Sequence, residues 1–313
     1  MRWLIIGGGA IGLLYAARLA SGDQSVCVGT RTTEQAALLS REGIGLITDA
    51  GEARLPVKAY AMEPDSIGSL RNYRPEVVML TVKQYQITED LIEQVGRVLP
   101  EQTPVYCLQN GIGHLTRLQA CWPRLQVLAA STTEAALRSS PSSVRYTGAG
   151  ELWLEEGTPS GSRETNHQKM LLAAMKKAGI TVFLSNQMED RMYRKLLLNC
   201  VINPLTALYG VKNGELPADE ARLAHMKAIH EETAAILHAA GLELSGDEWN
   251  HVLELCRLTA KNESSMLRDI RAGRPTELAW INGGVVALAN RLGLAAPCNE
   301  EVVERITLLD ANR

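Results

Sequence analysis

Three groups of residues in this 313-residue chain combine types and spacings that could do chemistry. The first is Gly7-Gly8-Gly9-Ala10-Ile11-Gly12, a G-x-G-x-x-G run that follows the apolar stretch Trp3-Leu4-Ile5-Ile6 and opens a helical pattern. In that setting Gly7 permits a tight turn and Gly9 lets backbone amides approach a pyrophosphate. Gly12 lets helix and strand pack closely, with the helix N-terminus turned toward the phosphate charge. The letters alone are weak, but at the head of a βαβ pattern they point to a dinucleotide. The plain alternative is a glycine-rich turn in an ordinary α/β domain.

The residue that distinguishes the dinucleotides should lie at the end of the second strand, about 20 residues on. There the chain reads Val26-Cys27-Val28-Gly29-Thr30-Arg31. No acid is present to grip a free ribose 2′-hydroxyl, and Asp23 precedes the strand. Arg31 can meet a 2′-phosphate with a charged fork, so NADPH is expected over NADH; a solvated surface arginine is the alternative. Lys83 and Asn110 each follow a strand candidate and should stand at the carboxyl edge of the sheet, where ligands bind. Taken singly, a lysine at a strand end is ordinary, and Asn110-Gly111 reads equally as a turn.

The third group is Lys195, Asn199 and Asn203, at i, i+4 and i+8 in the otherwise apolar run 192–204. They share one helix face. Polar groups on such a helix are expensive to bury without partners, so they either line a polar cleft or form a solvent-facing stripe. Pro204 is expected to kink or end the helix.

These groups require elements to hold them. Strand candidates at 3–6, 25–28, 76–82, 104–108 and 127–131 alternate with amphipathic stretches at 11–20, 34–42 and 87–99, predicting a mostly parallel, doubly wound Rossmann-type sheet. Residues 139–143 and 155–166 read as polar loops, with 144–154 as a hairpin or an edge. A helix at 168–178 and a strand at 181–184 close this half. From about residue 187 the apolar spacing is helical through 192–208, 218–240, 249–270 and 278–292. We therefore expect an α/β dinucleotide domain at 1–186 and an all-helical domain at 187–313. The active site is expected in the cleft between them, with closure excluding water.

Composition narrows the partners. Lys plus Arg number 32 against 35 Asp plus Glu, a net charge of −3 with the signs interleaved, which argues against nucleic acid. Six cysteines without a Cys-x-x-Cys pair suit a reducing cytoplasm. No apolar run approaches the roughly 18 residues of a membrane span, and nothing reads as a signal peptide, so no membrane partner is expected. His230-Glu231-Glu232 lacks the second histidine of a zinc-protease helix and no metal site is expected. There is no Gly-x-Ser-x-Gly elbow for serine hydrolysis. Oligomeric state is left open, a homodimer included.

Further motifs carry a resemblance: Val82-Lys83-Gln84-Tyr85-Gln86, Gln109-Asn110-Gly111-Ile112-Gly113, the run 194–208, Asn213-Gly214-Glu215-Leu216, 264–270, Pro275-Thr276-Glu277 and Ile281-Asn282-Gly283-Gly284. With the glycine motif, these make the chain resemble the ketopantoate reductase (2-dehydropantoate 2-reductase) family over nearly its whole length, which implies a 6-phosphogluconate-dehydrogenase-like architecture for the helical domain. The resemblance implies that Lys195 is the proton donor in NADPH-dependent reduction of a small 2-oxo acid. It implies that Asn199, Asn203, Asn213 and the Asn262-Glu263-Ser264-Ser265 segment hold substrate, Ser265 meeting its carboxylate. It also implies that Lys83, Asn110, Ala136 and Glu277 contact the NADPH. Glu277 has a competing explanation, since after Pro275 it would sit in the first turn of a helix and be stabilised by the dipole. Two places depart from the family pattern: Glu134 is an acid where a neutral or basic residue is expected, and 139–161 matches poorly. A reductase of another small 2-oxo acid and a non-catalytic NADPH-binding sensor are the other readings.

Overall fold

The computed structural model describes residues 1–157 and 162–311. The chain divides into two compact units, Met1–Gln109 with His114–Met188, and Asn110–Gly113 with Glu189–Arg313.

In the first unit the strands are β1 (Arg2–Ile6), β2 (Ser25–Thr30), β3 (Ile44–Thr48), β4 (Gly51–Leu55), β5 (Lys58–Ala61), β6 (Val77–Leu80), β7 (Pro104–Cys107), β8 (Gln126–Thr132), β9 (Ala135–Ser140), β10 (Ser143–Gly148), β11 (Leu152–Glu155) and β12 (Val182–Ser185). Its helices are α1 (Ala10–Ser21), α2 (Thr33–Glu42), α3 (Ile67–Tyr73), α4 (Glu89–Val98), α5 (His114–Cys121) and α6 (Ser162–Lys177). Eight strands form one sheet in the order β12-β11-β8-β7-β6-β1-β2-β5, parallel throughout except where β11 meets β8. The expected doubly wound sheet is present. β1 shows why: Trp3 and Ile5 enter one hydrophobic cluster, Leu4 and Ile6 the cluster on the opposite face. A strand buried on both faces reads as an unbroken apolar run.

A second sheet, β4-β3-β10-β9, was not expected. It packs on α1, whose Leu13, Leu14, Tyr15, Ala16, Ala17 and Leu19 are buried nearly all round between the two sheets. The sequence 139–143, read as a loop, instead holds the end of β9, a turn at residues 141 and 142 and the start of β10. Nor is 144–154 one hairpin or edge, because β10 and β11 belong to different sheets. β4 and β9 are largely exposed, so they lack the apolar alternation that marks a strand. Of the loop expected at 155–166, residues 162–166 are helical and 158–161 lie outside the described residues. Glu134, out of place against the family pattern, is buried in an ion pair with Arg18 and accepts from the Tyr146 hydroxyl at 3.3 Å.

The second unit is helical: α7 (Met188–Tyr209), α8 (Glu220–Ala239), α9 (Glu248–Leu258), α10 (Ser265–Arg271), α11 (Asn282–Leu292) and α12 (Pro297–Ala311) around one apolar core. The stretch expected as a single helix at 249–270 is broken. Residues 259–264 leave helical geometry, where the Asn262 and Ala260 carbonyls accept from the amides of Asn213 and Gly214. Ser264 then caps α10 by accepting from the Leu267 amide at 3.0 Å. Pro204 does not end α7, which continues to Tyr209. Among the described residues, no helix is long and apolar enough to cross a membrane.

Candidate active site

The first unit builds its site from backbone. Gly7 has φ +125°, a conformation closed to most side chains, and a Cβ there would lie 2.6 Å from Thr81 Oγ1. A Cβ on Gly12 would lie 1.9 Å from the Gly7 carbonyl oxygen, so helix and turn can meet only without a side chain. Over Gly9, by contrast, a Cβ would meet nothing within 4 Å. Gly9 is the N-cap of α1, with no side-chain cap and no acid in the first turn. The start of α1 therefore carries no capping side chain and no acid, with open space over Gly9, which fits a dinucleotide diphosphate.

Two side chains that the sequence did not single out close the other side of this turn. The Gln35 amide donates to the Gly8 carbonyl at 2.9 Å and to Pro141 at 2.8 Å, and the Arg138 guanidinium donates to Gly8 at 3.3 Å. Both come from elements far along the chain, and neither lies in a recognisable motif. Arg31 directly follows β2 and is exposed, beside Thr32, which caps α2. Lys83 follows β6, half-buried, its amide donating to Gln86 Oε1 at 3.0 Å. Ala136 is buried in β9.

In the second unit the chemistry is carried by side chains. Lys195, Asn199 and Asn203 lie along α7, the first two half-buried and Asn203 buried. Burial pushes the Lys195 ammonium down to about 8, against the opposing pull of the Glu277 carboxylate. Glu277 is itself buried and accepts from the Asn110 side-chain amide at 3.2 Å. That contact depends on Gly111, at φ +83°, where a Cβ would lie 2.3 Å from the Trp280 carbonyl oxygen. The same carbonyl accepts from the Ile112 amide at 3.1 Å. Asn110-Gly111 is thus a turn with a partner, pinned to the segment that carries Glu277.

Glu277 is not in the first turn of an α-helix. It precedes a three-residue turn, Leu278–Trp280, and α11 starts only at Asn282. The dipole explanation for its carboxylate falls away, since a turn that short aligns few peptide units.

The remaining candidates divide. Asn213 is buried, its side chain donating to Thr259 Oγ1 at 2.9 Å and its amide to the Asn262 carbonyl at 3.0 Å, so these two asparagines share one turn. Ser264 is committed to architecture: besides capping α10 it accepts from Thr206 Oγ1 at 2.7 Å. Glu263 pairs with Arg271. Asn262 is exposed, and Ser265 is the half-buried first residue of α10. The structure thus groups Lys195, Glu277 and Asn110, and joins Asn203 to Ser264 through Thr206, which also donates to the Asn203 carbonyl at 2.9 Å. Arg31, Lys83, Ala136 and the glycine turn belong to the first unit.

The chain matches the ketopantoate reductase PanE/ApbA family over residues 3–159 and the ketopantoate reductase PanE/ApbA C-terminal family over residues 187–310. The 2-dehydropantoate 2-reductase of Bacillus subtilis is 33% identical over 310 residues, 98% of this chain and 97% of the relative. The crystal structure of a PanE/ApbA family ketopantoate reductase from Ralstonia eutropha is similar with a TM-score of 0.88 at 25% identity, over 100% of this chain and 99% of that one. A probable 2-dehydropantoate 2-reductase from Bacillus subtilis gives 0.81 at 30% identity, over 99% and 100%. With both units matched, this chain belongs to the ketopantoate reductase family and is an NADP-dependent oxidoreductase.

Proposed function

We propose that the protein reduces 2-dehydropantoate to (R)-pantoate with NADPH, in the cytoplasm, as a step toward pantothenate and coenzyme A. The observation that carries this reading is Lys195 on the polar face of α7 with Asn199 and Asn203, under the influence of the buried Glu277 carboxylate that accepts from Asn110 at 3.2 Å.

Bound NADPH supplies the hydride for the C2 ketone carbon. Negative charge then gathers on the carbonyl oxygen, where the Lys195 ammonium stabilises it and gives up a proton. A lysine at its ordinary pKa of ~10.4 is a reluctant donor near neutrality; one lowered toward 8 is mostly protonated at neutral pH and releases its proton more readily. Asn199 and Asn203, one and two turns along α7, offer amides to the substrate's hydroxyl and carboxylate oxygens. Ser265 offers a hydroxyl to the carboxylate, with Asn213 and Asn262 shaping the adjoining turn. In the first unit, residues 7–12 hold the diphosphate and Arg31 holds the 2′-phosphate. Lys83, Asn110, Ala136 and Glu277 complete the cofactor contacts, Glu277 also holding Lys195 protonated.

The test is the loss of NADPH absorbance on adding 2-dehydropantoate, run beside NADH and a panel of smaller and larger 2-oxo acids. Selective oxidation with 2-dehydropantoate supports the proposal. Faster turnover of another 2-oxo acid would overturn the substrate, and tight NADPH binding without turnover of any would overturn the reaction.

A further inference from the structure

Pro204 lies inside α7, and a proline has no amide hydrogen, so the carbonyl four residues earlier, that of Cys200, loses its helical donor. Cys200 is fully buried in the core of the unit, where a bare carbonyl is costly. The replacement comes from another helix. Asn282, fully buried at the start of α11, donates Nδ2 to the Cys200 carbonyl at 3.0 Å and to Asn299 Oδ1 at 2.9 Å. Asn299 is fixed in turn, donating to Glu232 Oε1 at 2.8 Å and to Thr233 Oγ1 at 3.0 Å. The donor is therefore held in place by a chain of buried bonds ending on a carboxylate.

The position of this bond matters more than its strength. Cys200 lies in the turn between Asn199 and Asn203. A helix that lacks one rung depends there on whatever replaces the donor, and this turn joins the Lys195–Asn199 part of the polar face to Asn203. Asn282 stands five residues beyond Glu277, so one short segment acts on α7 twice, at Lys195 through charge and at Cys200 through a hydrogen bond.

We propose that Asn282 is a positioning residue: by supplying the donor that Pro204 removes, it fixes the turn of α7 between Asn199 and Asn203 and holds Lys195 in place against Glu277. This rests on the reading that the polar face of α7 is the reacting face.

The experiment is a double-mutant cycle between Asn282→Leu, which removes the side-chain donor, and Pro204→Ala, which restores the backbone donor to the same carbonyl. Asn282→Leu is expected to lower kcat/KM for the oxo acid by ~10- to 100-fold, as a small misplacement of catalytic groups does. NADPH affinity should hold, and the alkaline limb of the pH profile should move. Adding Pro204→Ala should recover most of the loss. Should Asn282→Leu fail to fold, Asn282→Ser enters the same cycle. Additive effects, or a folded Asn282 variant with unchanged kcat/KM and pH profile, would overturn the inference. If the wild type reduces no 2-oxo acid, the functional reading fails on its own. Coupling of the two substitutions in Tm, and an NMR titration of isotope-labelled Lys195 with and without Asn282→Leu, then decide the role of Asn282 without turnover.

Discussion

The glycine turn of the first unit and the polar face of α7 in the second hold their functional groups by opposite means. The turn works by absence: Gly7 and Gly12 leave out the side chains that would strike Thr81 and the Gly7 carbonyl, so the proposed binding falls to backbone amides. The face of α7 works by presence, with Lys195, Asn199 and Asn203 set on a helix whose apolar residues pack into the core. A backbone site needs one short segment in the right conformation. A side-chain site also needs neighbours to set its electrostatics, and here those come from residues 110 and 277.

This contrast can be broken by experiment. The largest effect is expected from Lys195→Ala, which should lower turnover by ~10²- to 10⁴-fold while leaving NADPH affinity nearly intact. Steady-state kinetics beside a fluorescence titration of NADPH will tell, and unchanged turnover would remove Lys195 from the mechanism. Gly12→Ala should do the reverse. Its Cβ meets a backbone carbonyl that cannot move aside, so a stability loss of about 1–3 kcal/mol is expected by thermal unfolding, together with weakened binding of both NADPH and NADH.

Arg31→Asp should lower the preference for NADPH over NADH by ~10- to 100-fold, the scale of one charge-assisted contact. An unchanged ratio of the two efficiencies would mean that Arg31 does not read the 2′-phosphate. The smallest effect concerns pH. As the acid, Lys195 must be protonated, so kcat/KM should fall as pH rises through about 8. Glu277 raises the Lys195 value, so Glu277→Gln should move that limb to lower pH; a limb that stays put would separate the two residues.

How much of this was legible beforehand follows from the same contrast. The doubly wound sheet was readable because β1 and its neighbours are buried on both faces and so leave continuous apolar runs. The β3–β4 and β9–β10 hairpins were not, because strands that are half solvent-facing carry Glu, Arg and Ser. Helical spacing carried α7 through residue 208 but not the means by which the helix passes Pro204, since the Asn282 amide that supplies the missing donor lies 78 positions from the proline. Ser264 stands in a motif that suggests substrate contact, and what the motif does not show is that its hydroxyl also caps α10 at Leu267 and accepts from Thr206, 58 positions away.

What local order alone settled is what short-range sterics govern: the glycine turn, the helix that follows it, and the shared face of Lys195, Asn199 and Asn203, each a matter of residue spacing along one element. What depended on the tertiary structure is everything that burial and long-range contact govern. The Lys195 value is lowered by burial, Glu277 is removed from a helix N-terminus and set against Asn110, and the Cys200 carbonyl is satisfied from α11. Desolvation and hydrogen bonding act through distance in space, and that distance exists only once the chain has folded.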